Sequence, residues 1–394
     1  MYIIGEEEVE AVRRVLLSGK LFRHGDGTTP TETDLFEREW AELTGAKHAL
    51  AVTSGTAALI CALVGAGIGP GDEVIVPAYT YMATALAPLA VGAVPVLAEV
   101  DESLTLSPAD VEQKITERTR AILPVHMAGL PCNLERLLEI AQEKNLKLIE
   151  DVAQADGGSY HGKRLGTWGD AGAFSFNYFK IITCGEGGAL VTDDDELFNR
   201  AQIMADGGLA FWRPNEDLAC PLFAGNNYRV SEIQSAMLRT QLRRLDGLLA
   251  GLRRDKQNLR RALSGQTGYW FNPVNDAEGD CATVLGLLFQ NEPAMRDFLD
   301  KATAWKLPVW TPVDSGRHVY SNWECVMQMR GASHEGRDAF KLVEDPPQMT
   351  PDMCPKTLDI LARTLYITTS PTRTDQEFAN LASALLRIAR SIPR

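Results

Sequence analysis

Four short stretches of this 394-residue chain carry the residue types and spacings that could do chemistry. In the run from Asp170 to Thr192, Lys180 stands alone among Tyr178, Phe179, Ile181 and Ile182. Desolvation penalises an ammonium in such a setting, and the neutral amine can attack a carbonyl to form a Schiff base. The same residues also suit a lysine that snorkels from a strand end. Thr53-Ser54-Gly55-Thr56 opens an apolar helix, where free N–H groups, hydroxyls and a glycine admit a phosphate or simply make an N-cap. Ile149 to Gln154 ends an apolar strand, and Asp151 there could hold a proton on a heterocyclic nitrogen, bind a metal or cap a helix. Few His or Cys residues lie nearby, so no metal site is expected. Asn226-Asn227-Tyr228-Arg229 offers amide and guanidinium donors to a phosphate, or makes a turn with a satisfied arginine.

The elements that would position these groups follow from hydrophobic periodicity. Val9, Val12, Val15 and Leu16 mark an amphipathic docking helix over Glu6 to Ser18, stopped by Gly19. Lys20 to Thr29, with Arg23 and His24, is a loop that either covers a site or connects. After a helix over Thr33 to Thr44, strands are expected at 49–53, 74–77, 94–100, 120–126 and 146–151. Helices are expected between them at 55–65, 82–91, 109–115 and 134–144. This alternation implies an α/β fold with a mainly parallel central sheet, helices on both faces and a ligand crevice at the carboxyl ends of the strands. Ala171 to Phe176 and Ala189 to Thr192 read as strands around an exposed turn holding Lys180. Helices are expected over Ser231 to Leu245 and Asp246 to Ala262, a strand over Thr283 to Gln290 and a helix over Asn380 to Ile392. The domain boundary falls at 245: residues 1–245 form the large domain and 246–394 a smaller α+β domain.

Composition bounds the partners. A formal charge of -13 argues against a nucleic-acid or anionic-membrane binder. Seven scattered cysteines without a CxxC pair fit reduced thiols, and the amino terminus lacks a basic n-region, so a cytoplasmic protein is expected. No GxGxxG follows the first strand, which disfavours a nicotinamide site.

The order of the four stretches makes one set: an early phosphate cradle, a strand-end acid, an isolated lysine, then Asn-Tyr-Arg before a helix. Pyridoxal phosphate needs a lysine to anchor it, an acid to keep its pyridine nitrogen protonated and a phosphate grip. The chain resembles the DegT/DnrJ/StrS aminotransferases of sugars and cyclitols through TSGTAAL, DEVIVPAYTYMATA, PVHMAGLPCNL, LIEDVAQADGGSYHGKRLGTWGDAGAFSF, CGEGGALVTDD after Lys180, and NNYRVSEIQSAMLRTQLRRLD. That resemblance implies the aspartate-aminotransferase-like fold type I and a homodimer with composite sites. It implies Lys180 as Schiff-base lysine and proton carrier, Asp151 on the pyridine nitrogen, Gln154 on the ring-hydroxyl side and Tyr81 stacked on the ring. Gly55, Thr56 and Ser175 would hold the phosphate, and Asn227 would reach the phosphate of a neighbouring subunit.

The resemblance further implies transfer of an amino group from glutamate or glutamine to a keto-sugar or keto-cyclitol. Alternatives on the same scaffold are dehydration or aromatisation of a cyclic ketone and a non-catalytic regulatory role. Asn177-Tyr178-Phe179 departs from the family's segment before the lysine and alters the substrate-side lining. Arg23, His318 and Tyr320 are expected at the substrate, with Arg317 and Trp323 as further contacts, each equally open to a structural role.

Overall fold

The computed structural model describes residues 2–25, 29–209, 218, 220–332, 334 and 338–391. Helix α1 (Glu6–Ser18) rests Ala11 and Val15 against Ala236, while its Glu8 is buried and accepts from Gln241 Nε2 at 2.8 Å. Helix α2 (Glu32–Thr44) starts with a reciprocal cap between Thr31 and Asp34, satisfying donors that have no carbonyl one turn earlier.

The chain then alternates β1 (His48–Val52), α3 (Gly55–Gly65), β2 (Glu73–Pro77), α4 (Ala83–Ala90), β3 (Val94–Ala98), α5 (Pro108–Lys114), β4 (Thr119–Ile122), α6 (Leu134–Lys144) and β5 (Lys147–Asp151). A two-strand hairpin, β6 (Ser159–Tyr160) and β7 (Lys163–Arg164), precedes β8 (Ala171–Ser175), β9 (Gly188–Thr192) and α7 (Asp195–Ala205). The seven-stranded sheet has the order β1-β9-β8-β5-β4-β2-β3, with β8, β5, β4, β2 and β3 parallel and β9 antiparallel to both its neighbours. Strands β2, β3, β8 and β9 are buried at every position, as expected of a sheet covered on both faces.

The strand expected over 120–126 is shorter, because Pro124 has no N–H for the ladder. Its carbonyl still accepts from Asp151 N at 2.8 Å, and His126 N donates to Asp151 O at 3.1 Å, so the extended chain runs on beside β5. The helix expected over 231–245 ends at Leu242 as α8 (Glu232–Leu242), and α9 (Leu245–Leu263) starts after a two-residue turn at Arg243 and Arg244.

Strands β10 (Tyr269–Phe271), β11 (Val284–Phe289), β12 (Val309–Trp310) and β13 (Thr364–Thr368) form a second, antiparallel sheet in the order β10-β11-β13-β12. Helix α10 (Glu292–Ala304) lies between β11 and β12, and short α11 (Glu324–Met327) and α12 (Pro355–Ala362) precede β13. Helix α13 (Asp375–Ala389), longer than the segment expected at 380–392, shares a core with this sheet, α9 and α10 through Leu259, Leu285, Phe298 and Leu385. Among the described residues no helix is long and apolar enough to cross a membrane.

Candidate active site

The carboxyl end of β5 sends two adjacent carboxylates to opposite sides, as the two-residue period of a strand requires. Glu150, fully buried, accepts from the backbone N–H of Gly166 (2.8 Å), Trp168 (2.7 Å) and Gly169 (3.0 Å) and pairs with His126 Nε2 at 3.1 Å. The N–H of Cys132 donates to His126 Nδ1 at 3.1 Å, so the ring proton sits on Nε2, facing Glu150. Asp151, 4% exposed, faces the crevice. Its Oδ2 accepts from Thr84 Oγ1 at 2.9 Å and its Oδ1 from Ala153 N at 3.0 Å. Burial raises the Asp151 carboxyl above the usual aspartate range, against the pull of those two donors and of Lys180.

Asp151 shares a cavity of about 190 Å³ with the start of α3 and with Lys180. Ser54 Oγ caps Ala57 N at 3.1 Å, which leaves the N–H groups of Gly55 and Thr56, in the first helical turn, without a carbonyl one turn earlier. Ser175, at the end of β8, completes this rim. A Cβ on Gly55 would lie 2.7 Å from Ser175 Cβ, so this close approach requires glycine. Backbone donors, two hydroxyls and a helix N-terminus make a built anion cradle.

Lys180 enters the same cavity from the turn between β8 and β9. Ile181 and Ile182 are buried and anchor the turn, whereas Tyr178 and Phe179 stand 63% and 67% exposed. Burial pushes the Lys180 ammonium below the ordinary lysine range, opposed by Asp151, Asp156 and Glu186. An amine so placed is a better nucleophile and proton acceptor than a solvated lysine.

A crevice of about 280 Å³ adjoins Lys180 and is lined also by Tyr81, Gln154, Thr283, Trp310 and His318. Gln154 Oε1 accepts from Ala128 N at 2.9 Å, and Thr283 Oγ1 donates to Ala128 O at 2.5 Å. Ala128 takes φ +55, a left-handed conformation that costs a non-glycine residue roughly 1 kcal/mol, and these two contacts hold it there.

The structure brings together Gly55, Thr56, Tyr81, Asp151, Gln154, Ser175 and Lys180 at the cavity and places His318 and Arg317 in the adjoining crevice. Three expectations need correction. Arg23, 4% exposed, spends its guanidinium on Glu37 (2.6 Å) and Ala51 O (3.2 Å), so it braces β1 against α2 instead of meeting substrate. Tyr320 is fully buried, its hydroxyl donating to Pro351 O at 2.7 Å and accepting from Cys354 N at 3.1 Å. Trp323 is likewise buried, with Nε1 on Arg317 O at 3.0 Å. Asn227 is exposed and lies outside the cavity, with Oδ1 accepting from Arg229 N at 3.3 Å.

Sequence reasoning overlooked Thr84, Thr283, Trp310, Glu186 and Asp156. Thr84 had a signal: it lies in the first turn of α4, three residues after Tyr81. Asp156 is fully buried, neither carboxylate oxygen has a hydrogen-bond partner among the described residues, and burial raises its carboxyl well above the usual range.

The profile of the DegT/DnrJ/EryC1/StrS aminotransferase family matches residues 2–302. Over 259 residues the chain is 42% identical to GDP-perosamine synthase of Caulobacter vibrioides, covering 62% of this chain and 69% of that protein. Among solved structures, 3-amino-5-hydroxybenzoic acid synthase superposes with a TM-score of 0.83 at 28% identity, covering 99% of this chain and 98% of that one. S. venezuelae DesV superposes with a TM-score of 0.79 at 31% identity, covering 98% and 95%.

Proposed function

The chain belongs to the DegT/DnrJ/EryC1/StrS aminotransferase family, and from that membership we propose that it is a pyridoxal-phosphate-dependent transaminase passing an amino group from glutamate or glutamine to a keto-sugar or keto-cyclitol. The observation that carries this reading is that Lys180, Asp151 and the Gly55–Thr56 helix start line one cavity. Those residues fit the cofactor: an amine for its aldehyde, a carboxylate for its ring nitrogen and a backbone cradle for its phosphate. The similarity to GDP-perosamine synthase supports a hexose as the acceptor.

When bound, pyridoxal phosphate supplies an electron sink that lets an amino group pass between two carbon skeletons. The rest of the work falls to the chain. Asp151, steadied by Thr84 and Ala153 N–H, would meet the ring nitrogen as a carboxylate, because an adjacent positive charge offsets the upward push of burial. Lys180 Nζ, whose buried setting favours the neutral amine, would accept and hand back the proton at the substrate carbon. Gln154 and Tyr81, which line the same cavity, would contact the ring, and Ser175 with the start of α3 would hold the phosphate.

The second subunit enters through two observations. Asn227 is exposed and lies outside its own cavity, as a residue serving a neighbour's phosphate would. Leu16, Leu17, Tyr178 and Phe179 are large apolar side chains left 54–72% exposed, with Tyr178 and Phe179 beside Lys180 in sequence, which supports a homodimer with composite sites. In this reading residues 1–245 form the cofactor-binding part and 246–394 a smaller part closing the crevice.

The test is spectroscopic. Purified protein loaded with pyridoxal phosphate should absorb in the visible, be trapped by borohydride at Lys180, and lose that band when glutamate or glutamine is added. Lys180→Ala should bind the cofactor without the band. A colourless wild type that borohydride leaves unlabelled sinks the proposal, and a monomer by sedimentation sinks the composite site.

A further inference from the structure

The crevice beside Lys180 contains a histidine whose surroundings assign its proton. The main chain around His318 is tied to the loop carrying Tyr81: Thr80 N donates to His318 O at 2.9 Å and Tyr320 N to Ala78 O at 3.0 Å, with Tyr79 and Val319 bridged antiparallel. The His318 ring is therefore fixed beside that of Tyr81, with centroids 6.0 Å apart. Its Nδ1 is completely buried and, among the described residues, has no hydrogen-bond partner, while the ring lines the crevice, so Nε2 is the nitrogen a ligand can reach. Burial, then the charges of Lys180 and Arg317, lower the ring to about 4, so it is neutral at ordinary pH. A neutral imidazole has one N–H, and an orphaned buried N–H is rarer than an orphaned acceptor, which places the proton on Nε2.

Arg317 precedes it. Its side chain is exposed at the crevice and, among the described residues, makes no ion pair. A hydrogen-bond donor, an unpaired guanidinium and Lys180 thus converge on one 280 Å³ space, a set that suits an electron-rich carbonyl compound with an anionic end.

We propose that His318 donates Nε2–H to the oxygen of the carbonyl compound bound in this crevice, orienting its C=O beside Lys180, and that Arg317 pairs with the anionic end of the same compound. The assignment rests on the transaminase reading and adds to it how the substrate is turned. It makes His318 a residue of orientation, separate from the Lys180 proton transfer.

The holoenzyme, converted to its pyridoxamine form by an amino donor, is mixed with 2-oxoglutarate, and in parallel with glutarate, which has the same two carboxylates and no oxo group. Glutarate binding is read directly by calorimetry. His318→Asn and His318→Phe should lower kcat/KM for 2-oxoglutarate by about tenfold or more, the effect of one lost hydrogen bond to a developing charge. His318→Gln, whose amide N–H reaches the place of Nε2, should retain it within about threefold, a fraction of one hydrogen bond. The glutarate dissociation constant should be unchanged in all three. Arg317→Gln should weaken glutarate and 2-oxoglutarate alike. A His318→Gln variant as impaired as His318→Phe, glutarate binding that falls with the histidine variants, or a wild type whose pyridoxamine form 2-oxoglutarate fails to return to the coloured form overturns the proposal. A wild type without visible absorbance or conversion by any amino acid instead defeats the transaminase reading beneath it.

Discussion

Glu150 and His126 meet at 3.1 Å inside the fold, and the same carboxylate gathers the N–H groups of Gly166, Trp168 and Gly169. One side chain therefore fixes both the turn at 126–129 and the loop into β8, the two segments flanking Asp151. Glu150→Ala strands three N–H groups and the buried histidine, and should cost on the order of 3–5 kcal/mol. Urea unfolding of the loaded protein should show the lower midpoint, with a larger loss than His126→Gln.

Thr84 is the only side chain among the described residues that donates to Asp151. Thr84→Val keeps the shape and removes the donor, and should weaken cofactor binding roughly 10-fold, the worth of a hydrogen bond to a charged group. Thr84→Ser should restore it. Titration of the visible band measures both.

Asp156 predicts the pH dependence of the cofactor-free protein. Its carboxyl is raised in the fold by burial, so the fold holds a proton that the unfolded chain releases near the ordinary value of 3.8. The stability from that proton is present below 3.8 and is lost as pH rises from there through the raised value. Asp156→Asn removes the ionisation. It should match wild type near pH 4 and exceed it in melting temperature at pH 7 to 8. Equal melting curves for the two proteins at every pH would show that the carboxyl is not buried unpaired.

Arg23→Gln separates bracing from substrate binding. It leaves Glu37 beside β1 without its cation, and should lower stability by roughly 2–4 kcal/mol while KM for either substrate stays unchanged.

Gly188 lies under the start of α3, where an added Cβ would meet Ser54 C at 2.4 Å. Gly188→Ala should displace that helix end, costing about 1–3 kcal/mol and weakening phosphate binding. Gly19→Ala, with open space around its Cβ, serves as the control, strained only by its φ of +69.

Much of this was legible in the chain because strand ends, helix starts and the lone lysine are local signals. Gly55, Asp151 and Lys180 each sit where an element begins or ends, and an α/β alternation fixes which end of the sheet they share. The substrate side was not legible. Arg23 and Tyr320 look like free polar side chains in sequence, and only the fold shows that Glu37 and Pro351 consume them. Thr283 and Trp310, which were not anticipated, reach the crevice from the second sheet and its connections, a long-range arrangement that no local pattern encodes. Strands β10 and β12, at three and two residues, are too short for periodicity to mark.

The opposed carboxylates at the end of β5 also bear on how reliably the chain finds this fold. Shifting that strand by one residue would turn Asp151 off the cavity and Glu150 off its three N–H groups. Neither misplaced side chain would have its partners, so the error carries its own penalty at two places at once. The strand that ends at the chemistry proofreads its own placement, and a one-residue insertion within residues 147–151 would disturb both sets of partners together.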